Sequence, residues 1–196
     1  MNLTLPHLIF LLGISVYLLV RVVFQFRASA DTKAVRRVTA RDRMLILLVG
    51  ACQITLPLLL FFTPWLNATN YTLPTASAWL GTLTLTGGLW LFWRSHTDLG
   101  KSWSVTLELN SNHQLVTQGV YRLVRHPMYA SFFAMAVAQG LLLNNWLAGW
   151  SALLAVTALY VVRVPTEEQM MLDHFGDDYR NYMRQTGGIF PRTRAA

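Results

Sequence analysis

Charged residues and cysteine are scarce in this 196-residue chain. Only 13% of its residues are charged, whereas a water-soluble domain carries about a quarter. This deficit disfavours an ordinary water-soluble domain. Cys52 is the only cysteine, so no disulfide can form within the chain, and the Cys/His spacing of a zinc site is missing. With 9 acidic residues against 16 Lys and Arg, the formal net charge is +7.

The sequence also lacks the short motifs of several large enzyme classes. It holds no G-x-G-x-x-G and no P-loop, so a Rossmann-type nucleotide site is not supported. No Ser–His–Asp or His-x-x-x-His arrangement supports a hydrolase or a metalloprotease. We interpret the positive charge as membrane topology and attraction to anionic lipid. Membrane lipid is therefore an expected partner, whereas nucleic acid and metal ions are not.

Apolar residues, by contrast, make up 54% of the chain, and the mean hydropathy is +0.37. Four apolar segments approach the ~20 residues that a spanning helix needs, and a fifth is shorter. We therefore predict an all-α integral membrane protein with five transmembrane helices and no second domain. Asn144 and Asn145 should form a tight turn between the last two spans. The five segments are Leu3–Phe26, Met44–Leu66, Thr75–Trp93, Met128–Leu143 and Trp146–Val164.

The positions of lysine and arginine predict the orientation of these spans. Arg21 to Arg43 holds seven, Arg94 to Arg125 holds four and Arg163 to Arg194 holds five. The predicted turns at Thr63–Pro74 and at Asn144-Asn145 hold none. Because basic loops stay in the cytoplasm, we expect the N-terminus outside and the C-terminus in the cytoplasm.

The polar stretches divide the single domain, residues 1–196, into four parts. Residues 1–93 hold three spans, 94–127 form a cytoplasmic loop, 128–164 form a helical hairpin and 165–196 form cytoplasmic helices. Loops longer than about 12–15 residues are usually functional, and residues 94–127 exceed that length. Within this loop "SVTLEL" alternates and fits an extended segment, and the residues around Gly119 fit a short strand or helix.

The stretch "RLVRHPMYAS" places charges directly against an apolar run. Pro127 bars a helical conformation at His126 and starts the next helix, because its missing N–H falls among the unpaired donors of the first turn. His126 and Tyr129 then lie at a helix N-terminus. Taken alone, Arg122 and Arg125 are better interpreted as interfacial anchors. Arg-His-Pro-x-Tyr as a unit instead predicts a polar site at the membrane face.

A second group of polar residues follows the fifth span. Arg163 closes that span, Pro165 is expected to interrupt the helix, and Thr166 should cap a new helix that Glu167 and Glu168 open. For Glu168, a plain complement of the helix dipole is an equally good interpretation. The hairpin should bring Glu167 beside the Arg-His-Pro-x-Tyr unit. A site with a carboxylate, a guanidinium, an imidazole and a phenol is typical of a polar cofactor that meets an apolar substrate.

The runs "HQLVTQGVYRLVRHPMY" and "RVPTEEQMMLDHFGDDYRNYMRQTGGIFP", with a hairpin between them, resemble the isoprenylcysteine carboxyl methyltransferase family. The preceding "HTDLGKSWS" fits as well, so the resemblance covers about Thr97 to Pro191. The first three spans match the family only in number and hydrophobicity. The likeness is greatest to the short, five-span prokaryotic members.

This resemblance implies methyl transfer from S-adenosylmethionine to the carboxylate of a membrane-embedded prenylated cysteine or a similar isoprenoid lipid. The cofactor pocket would be cytoplasmic and formed by the last two spans, the loop before them and the C-terminal helices of a monomer. Arg163 matches the arginine assigned to the substrate carboxylate. The residues implied to border the cofactor are Glu108, His113, Gln114, Leu115, Val116, Tyr121, His126, Pro127, Met128, Tyr129 and Glu167.

Other functions fit part of the same pattern. Phospholipid N-methyltransferases, which act on an amine, share the Arg-His-Pro-x-Tyr and paired-glutamate motifs. Membrane sterol reductases have a similar C-terminal half, but this chain is short for one. A non-enzymatic membrane scaffold is a third class. Arg163 itself could also be a membrane-edge anchor whose guanidinium extends to water.

Overall fold

The computed structural model describes residues 3–28, 33–36, 39–100, 108–110 and 115–192. Helices dominate this part of the chain, and two short strands accompany them. The helices are α1 (Leu5–Ala28), α2 (Ala40–Gly50), α3 (Leu56–Phe62), α4 (Thr75–Leu99), α5 (Pro127–Leu143), α6 (Trp146–Phe175) and α7 (Asp177–Gln185). The strands are β1 (Lys33–Arg36) and β2 (Glu108–Asn110).

Three helical stretches of the described chain are long and apolar enough to cross a membrane. They are Leu5–Phe26, Ala40–Phe62 and Trp146–Phe175, and α5 is a shorter apolar helix. The predicted helical membrane protein is therefore confirmed. The number of five spans stays a prediction. α4 has 25 residues, but threonines and glycines make its sequence less apolar than those of the three stretches above.

The second apolar stretch contains a π-helical turn, Ala51–Thr55, between α2 and α3. Pro57 follows this turn and has no N–H to donate to the preceding turn. The N–H of Leu56 bonds to the carbonyl of Ala51, five residues earlier. With this spacing the donor for the carbonyl of Cys52 would be residue 57, and because that residue is a proline the carbonyl is left for another donor. The Gln139 amide of α5 donates to that carbonyl at 2.8 Å. A polar contact inside the membrane region thus joins α5 to the wide turn.

The hairpin between α5 and α6 has the predicted tight turn. Asn144 has a left-handed conformation with φ 50°, which asparagine tolerates better than most residues. Asn145 caps α6, because its side chain accepts a hydrogen bond from the N–H of Ala148 at 2.8 Å. The two helices approach closely at Gly140 and Gly149. A β carbon added to Gly149 would lie only 3.2 Å from the α carbon of Gly140. This close approach sets α5 directly beside α6.

The expected break at Pro165 is wrong, because α6 runs without interruption from Trp146 to Phe175. Pro165 is exposed, so its ring faces away from the neighbouring helices. A proline inside a helix removes one hydrogen bond and costs about 3 kcal/mol, which packing on both sides of the residue can offset. Thr166 is consequently an interior helical residue and not a cap. The continuous helix places Arg163 and Glu167 one turn apart on the same face.

The structure adds a small antiparallel sheet to the predicted helical fold. β1 lies between α1 and α2, and β2 lies in the long loop after α4. Arg36 pairs with Glu108 in this sheet, and Lys33 pairs with Asn110. β2 includes Glu108 and Leu109, the last two residues of the alternating "SVTLEL" segment for which an extended conformation was expected; the first four lie outside the described residues. The sheet ties the loop after α4 to the connection between the first two membrane helices.

Candidate active site

The first part of the site is the start of α5. His126 precedes Pro127 with φ −122° and ψ 58°, outside the helical region, and Pro127 begins the helix as predicted. His126 and Tyr129 are both buried. Their rings contact each other edge to face, with centroids 6.0 Å apart. The proline therefore turns both side chains into the protein, toward α6.

Glu167 of α6 is the group that these side chains meet. The hydroxyl of Tyr129 donates to Glu167 Oε1 at 2.7 Å, and Arg163 Nη2 lies 3.2 Å from the same oxygen. His126 Nδ1 lies 3.9 Å from Glu167 Oε2. The structure thus brings together the carboxylate, the imidazole and the phenol that the sequence placed in one site, and the guanidinium next to this carboxylate is that of Arg163.

Arg163 is buried, with 8% of its surface exposed. Its Nε has no hydrogen-bond partner among the residues that the structure describes. An anchor would extend its guanidinium to water, so this burial contradicts the membrane-edge interpretation. A buried donor without a partner is costly. Such a donor is typical of a binding site in which it bonds to an oxygen of the ligand.

Asp42, in the first turn of α2, is a further acidic group near this arginine. It is buried and forms a reciprocal capping arrangement with Thr39, whose backbone N–H donates to Asp42 Oδ2 at 2.8 Å. Asp42 lies close enough to Arg163 for their charges to interact. Its proximity depends on the packing of α2 against α6, and no local motif indicated it.

Glu168 and Arg125 form the second half of the site; the sequence placed Arg125 in the Arg-His-Pro-x-Tyr unit, but it did not predict the contact between these two residues. Glu168 Oε1 accepts from Arg125 Nε at 3.0 Å, from Arg125 Nη2 at 2.9 Å and from His126 Nε2 at 2.9 Å. Hydrogen bonds from His126 and then from Arg125 lower the pKa of Glu168. For Arg125 these contacts favour the interpretation as part of the Arg-His-Pro-x-Tyr site over that as an interfacial anchor. Arg122, which is exposed, remains compatible with it.

Tyr121 lies on a short 3-10 turn, Gly119–Arg122, that is fixed to the end of α4. Gly119 has φ 58°, and a β carbon added there would lie 2.1 Å from Asp98 Oδ2. That same oxygen accepts from the N–H of Val120 at 2.9 Å. The hydroxyl of Tyr121 donates to the carbonyl of Ser95 at 3.3 Å, and burial raises the pKa of Tyr121. Its phenol is thus already bonded within the protein.

The remaining residues implied to border the cofactor are less fully described. Pro127 is buried, and Met128, Leu115 and Val116 are half-buried. His113 and Gln114 lie outside the described residues. Glu108 belongs to β2 by its backbone, but its side chain is also outside them.

The charges of this site favour a cationic ligand. Asp42, Glu167 and Glu168 contribute three carboxylates, whereas Arg125 and Arg163 contribute two guanidinium groups. The described residues of the site therefore carry one excess negative charge when His126 is neutral. A buried site with this excess attracts a positively charged group more strongly than a neutral one.

Comparison with known proteins confirms the family resemblance. Residues 79–173 match the sequence model of the isoprenylcysteine carboxyl methyltransferase family. This region contains every site residue described above except Asp42. A solved structure of the eukaryotic intramembrane Ras methyltransferase ICMT aligns with 79% of this chain and 54% of its own, with a TM-score of 0.54 and 27% sequence identity. The membrane fold is therefore of the same kind.

Curated relatives named protein-S-isoprenylcysteine O-methyltransferase match this chain over less than half of its length. The protein of Schizosaccharomyces pombe is 35% identical over 94 residues, which is 47% of this chain and 40% of the relative. That of Tribolium castaneum is 37% identical over 87 residues, 44% of this chain and 31% of the relative. The human protein is 33% identical over 78 residues, 40% of this chain and 28% of the relative. The matches thus span less than half the length of these relatives.

Proposed function

We propose that this integral membrane protein transfers a methyl group from S-adenosylmethionine to the carboxylate of a prenylated cysteine or a similar isoprenoid lipid. The family match supports this function, since it covers the region that holds most of the site, and the named relatives support it by their sequence similarity. The single observation that carries the choice of a carboxylate is the buried guanidinium of Arg163, whose Nε lacks a partner among the described residues.

The residues at the start of α5 fit the cofactor by their chemistry. Glu167 has one oxygen, Oε2, turned away from Tyr129 and available for an amino or ribose hydroxyl group. His126, Pro127, Met128 and Tyr129 would form the adjoining wall, with Tyr121, Leu115 and Val116 nearby. Glu108, His113 and Gln114 would complete the pocket. When bound, S-adenosylmethionine supplies a methyl group on a positively charged sulfur, which suits the excess negative charge of the site.

The acceptor needs little acid–base chemistry from the protein. A carboxylate of this kind is ionised near neutral pH, since carboxyl pKa values lie near 3.3–4.3, about three units below neutrality. The attacking oxygen therefore has no proton to lose. The protein must orient that oxygen and exclude water. Arg163 can hold a carboxylate through two parallel hydrogen bonds, and its burial keeps this contact away from bulk water.

The alternative acceptor, a phospholipid amine, fits this site less well. The acceptor is expected to lie next to the guanidinium of Arg163, which attracts a carboxylate and repels a protonated amine, even though the described residues of the site as a whole carry one excess negative charge. Both acceptors would bring an apolar chain into the membrane. The sign of the charge at Arg163 is therefore the feature that separates the two functions.

The proposal includes the membrane arrangement. The protein has five spans, with α4 as the third and the shorter α5 as the fourth, and acts as a monomer. The loop at 94–127 and the segment 165–196 face the cytoplasm with the active site, and the N-terminus faces outward. The uneven distribution of Lys and Arg supports this arrangement.

A methyl-transfer assay on a panel of acceptors tests the function. Purified protein is given S-adenosylmethionine labelled in its methyl group, together with a prenylcysteine, a phosphatidylethanolamine or a lipid thiol. The expected result is label in the prenylcysteine, released by mild base as a methyl ester is. Label only in phosphatidylethanolamine would establish the amine alternative. Neither transfer nor binding of the cofactor would favour the scaffold.

A further inference from the structure

Arg125 has more hydrogen-bonded contacts than its place in a membrane-edge motif would require. Two of its nitrogens donate to Glu168 Oε1, and Nη1 donates to the carbonyls of Met183 and Thr186 at the end of α7. Its side chain is 14% exposed, so these contacts are largely shielded from water. The cation at the C-terminus of a helix is also favoured by the helix dipole.

The backbone around Arg125 is fixed to the same C-terminal segment. The N–H of Arg125 donates to the carbonyl of Gly187 at 2.8 Å, and the N–H of His126 donates to that of Gly188 at 3.1 Å. Gly187 is required there, because a β carbon would lie 1.9 Å from the carbonyl oxygen of Phe190. The segment after α7 thus aligns beside Arg125 and His126 through main-chain bonds as well as side-chain bonds.

We propose that Arg125 is a positioning residue that fixes the imidazole of His126 through Glu168. Arg125 and His126 bond to the same oxygen, Glu168 Oε1, and two donors from Arg125 hold that oxygen in one place. Without Arg125 the carboxylate can rotate about its own side chain, and the ring of His126 loses its fixed partner. The inference rests on the proposed function, since His126 is expected to border the cofactor.

The arrangement also determines which nitrogen of His126 carries the proton in the neutral ring. A carboxylate only accepts hydrogen bonds, so Nε2 must be the donor to Glu168. Nδ1 then keeps its lone pair, and it lies on the side of Glu167. His126 would therefore offer an acceptor to a donor group of the bound cofactor. Arg125 controls this acceptor without touching the ligand itself.

Two measurements on the full chain in detergent test the proposal. The first is the nitrogen NMR spectrum of ¹⁵N-histidine-labelled protein, in which His126→Asn identifies the signal of His126. The second is the affinity for S-adenosylhomocysteine in a double-mutant cycle of Arg125→Lys, Glu168→Gln and both together. Lysine keeps the charge but cannot reach Glu168 and the end of α7 at once. Arg122→Lys is the matched control, since Arg122 is exposed and lies in the same loop.

The expected spectrum of the wild type shows His126 protonated at Nε2, and this signal shifts in Arg125→Lys. Each single substitution weakens binding roughly tenfold, and the double variant is no weaker than either one, because both remove the same link. A general structural role would give additive losses and would leave the histidine signal unchanged. Either of those results overturns the proposal.

The design separates this inference from the proposed function. A wild type that does not bind S-adenosylhomocysteine would contradict the proposed function, whereas the histidine spectrum would still test the role of Arg125. If Arg125→Lys does not fold, Glu168→Gln alone remains decisive. An unchanged His126 signal in that variant would show that Glu168 does not fix the ring.

Discussion

Tyr129 and Glu167 join α5 to α6 through a hydrogen bond of 2.7 Å between the phenol and Oε1 of the carboxylate. Arg163 lies 3.2 Å from that same oxygen on its other side. Glu167 is thereby held between a neutral donor and a cation, with its second oxygen turned toward His126. Four predictions follow from this arrangement and from the fold that produces it, beginning with the carboxylate itself.

Replacing Glu167 or His126 by alanine should weaken binding of S-adenosylmethionine while the protein stays folded. Hydrogen bonds to charged groups contribute about 1.5–3 kcal/mol, which corresponds to roughly a ten- to hundredfold loss of affinity. Calorimetric titration of the purified variants measures the affinity for S-adenosylmethionine, and Arg122→Ala, at an exposed position, is the control. Unchanged affinity in both variants would show that these residues only stabilise the helix ends.

The variant Arg163→Lys should lose most methyl transfer to a prenylcysteine and keep its affinity for the cofactor. Lysine retains the positive charge but lacks the planar fork that would orient the attacking oxygen. Steady-state turnover and cofactor titration are measured side by side. Arg43→Lys, an exposed arginine in the first turn of α2, is the control. Wild-type turnover in Arg163→Lys would refute the carboxylate clamp.

Reporter fusions at Asn70 and at Ala196 should report opposite sides of the membrane. Asn70 lies in the loop between α3 and α4, which has no Lys or Arg, whereas the residues after α6 are rich in arginine. A phosphatase that is active only outside and a fluorescent protein that folds inside give complementary signals. The same side for both positions would mean that the number of spans differs by one.

Gly119→Ala should destabilise the protein more than Gly176→Ala does. Both glycines have positive φ, 58° and 54°, a conformation that residues with a β carbon rarely adopt, so alanine strains the backbone at either position. Only at Gly119 would the new β carbon also meet Asp98, and around Gly176 nothing lies within 4 Å. Thermal unfolding in detergent compares the loss of stability in the two variants. Equal losses would show that Asp98 moves aside easily.

The local features of the fold were predictable because neighbouring residues determine them. Pro127 begins a helix wherever the preceding residue is extended, and the turn at Asn144-Asn145 uses a left-handed residue followed by a capping side chain. The break at Pro165 was predicted wrongly for the same reason. A proline weakens a helix locally, but whether the helix ends depends on the packing of residues on both sides of it.

The site was predictable only where both partners belong to recognisable motifs. Glu167 and Tyr129 could be paired because the hairpin between them was visible in the sequence. The contact between Glu168 and Arg125 was not predicted, since it depends on the segment after α7, which holds Arg125 from its other side. Asp42 was missed because it reaches Arg163 from a helix that lies 121 positions earlier in the chain.

The continuity of α6 has a consequence for how substrates are selected. Its 30 residues extend for about 45 Å, which exceeds the roughly 30 Å thickness of the hydrocarbon core. Arg163 lies about 26 Å along this helix from Trp146, so a helix that enters the hydrocarbon core at Trp146 would bring Arg163 close to the opposite edge of that core. Because α6 has no break, its length would determine the depth of this guanidinium in the bilayer. Under the proposed function, acceptors would then be selected by how deeply their head groups lie in the bilayer, in addition to how well they fit the site.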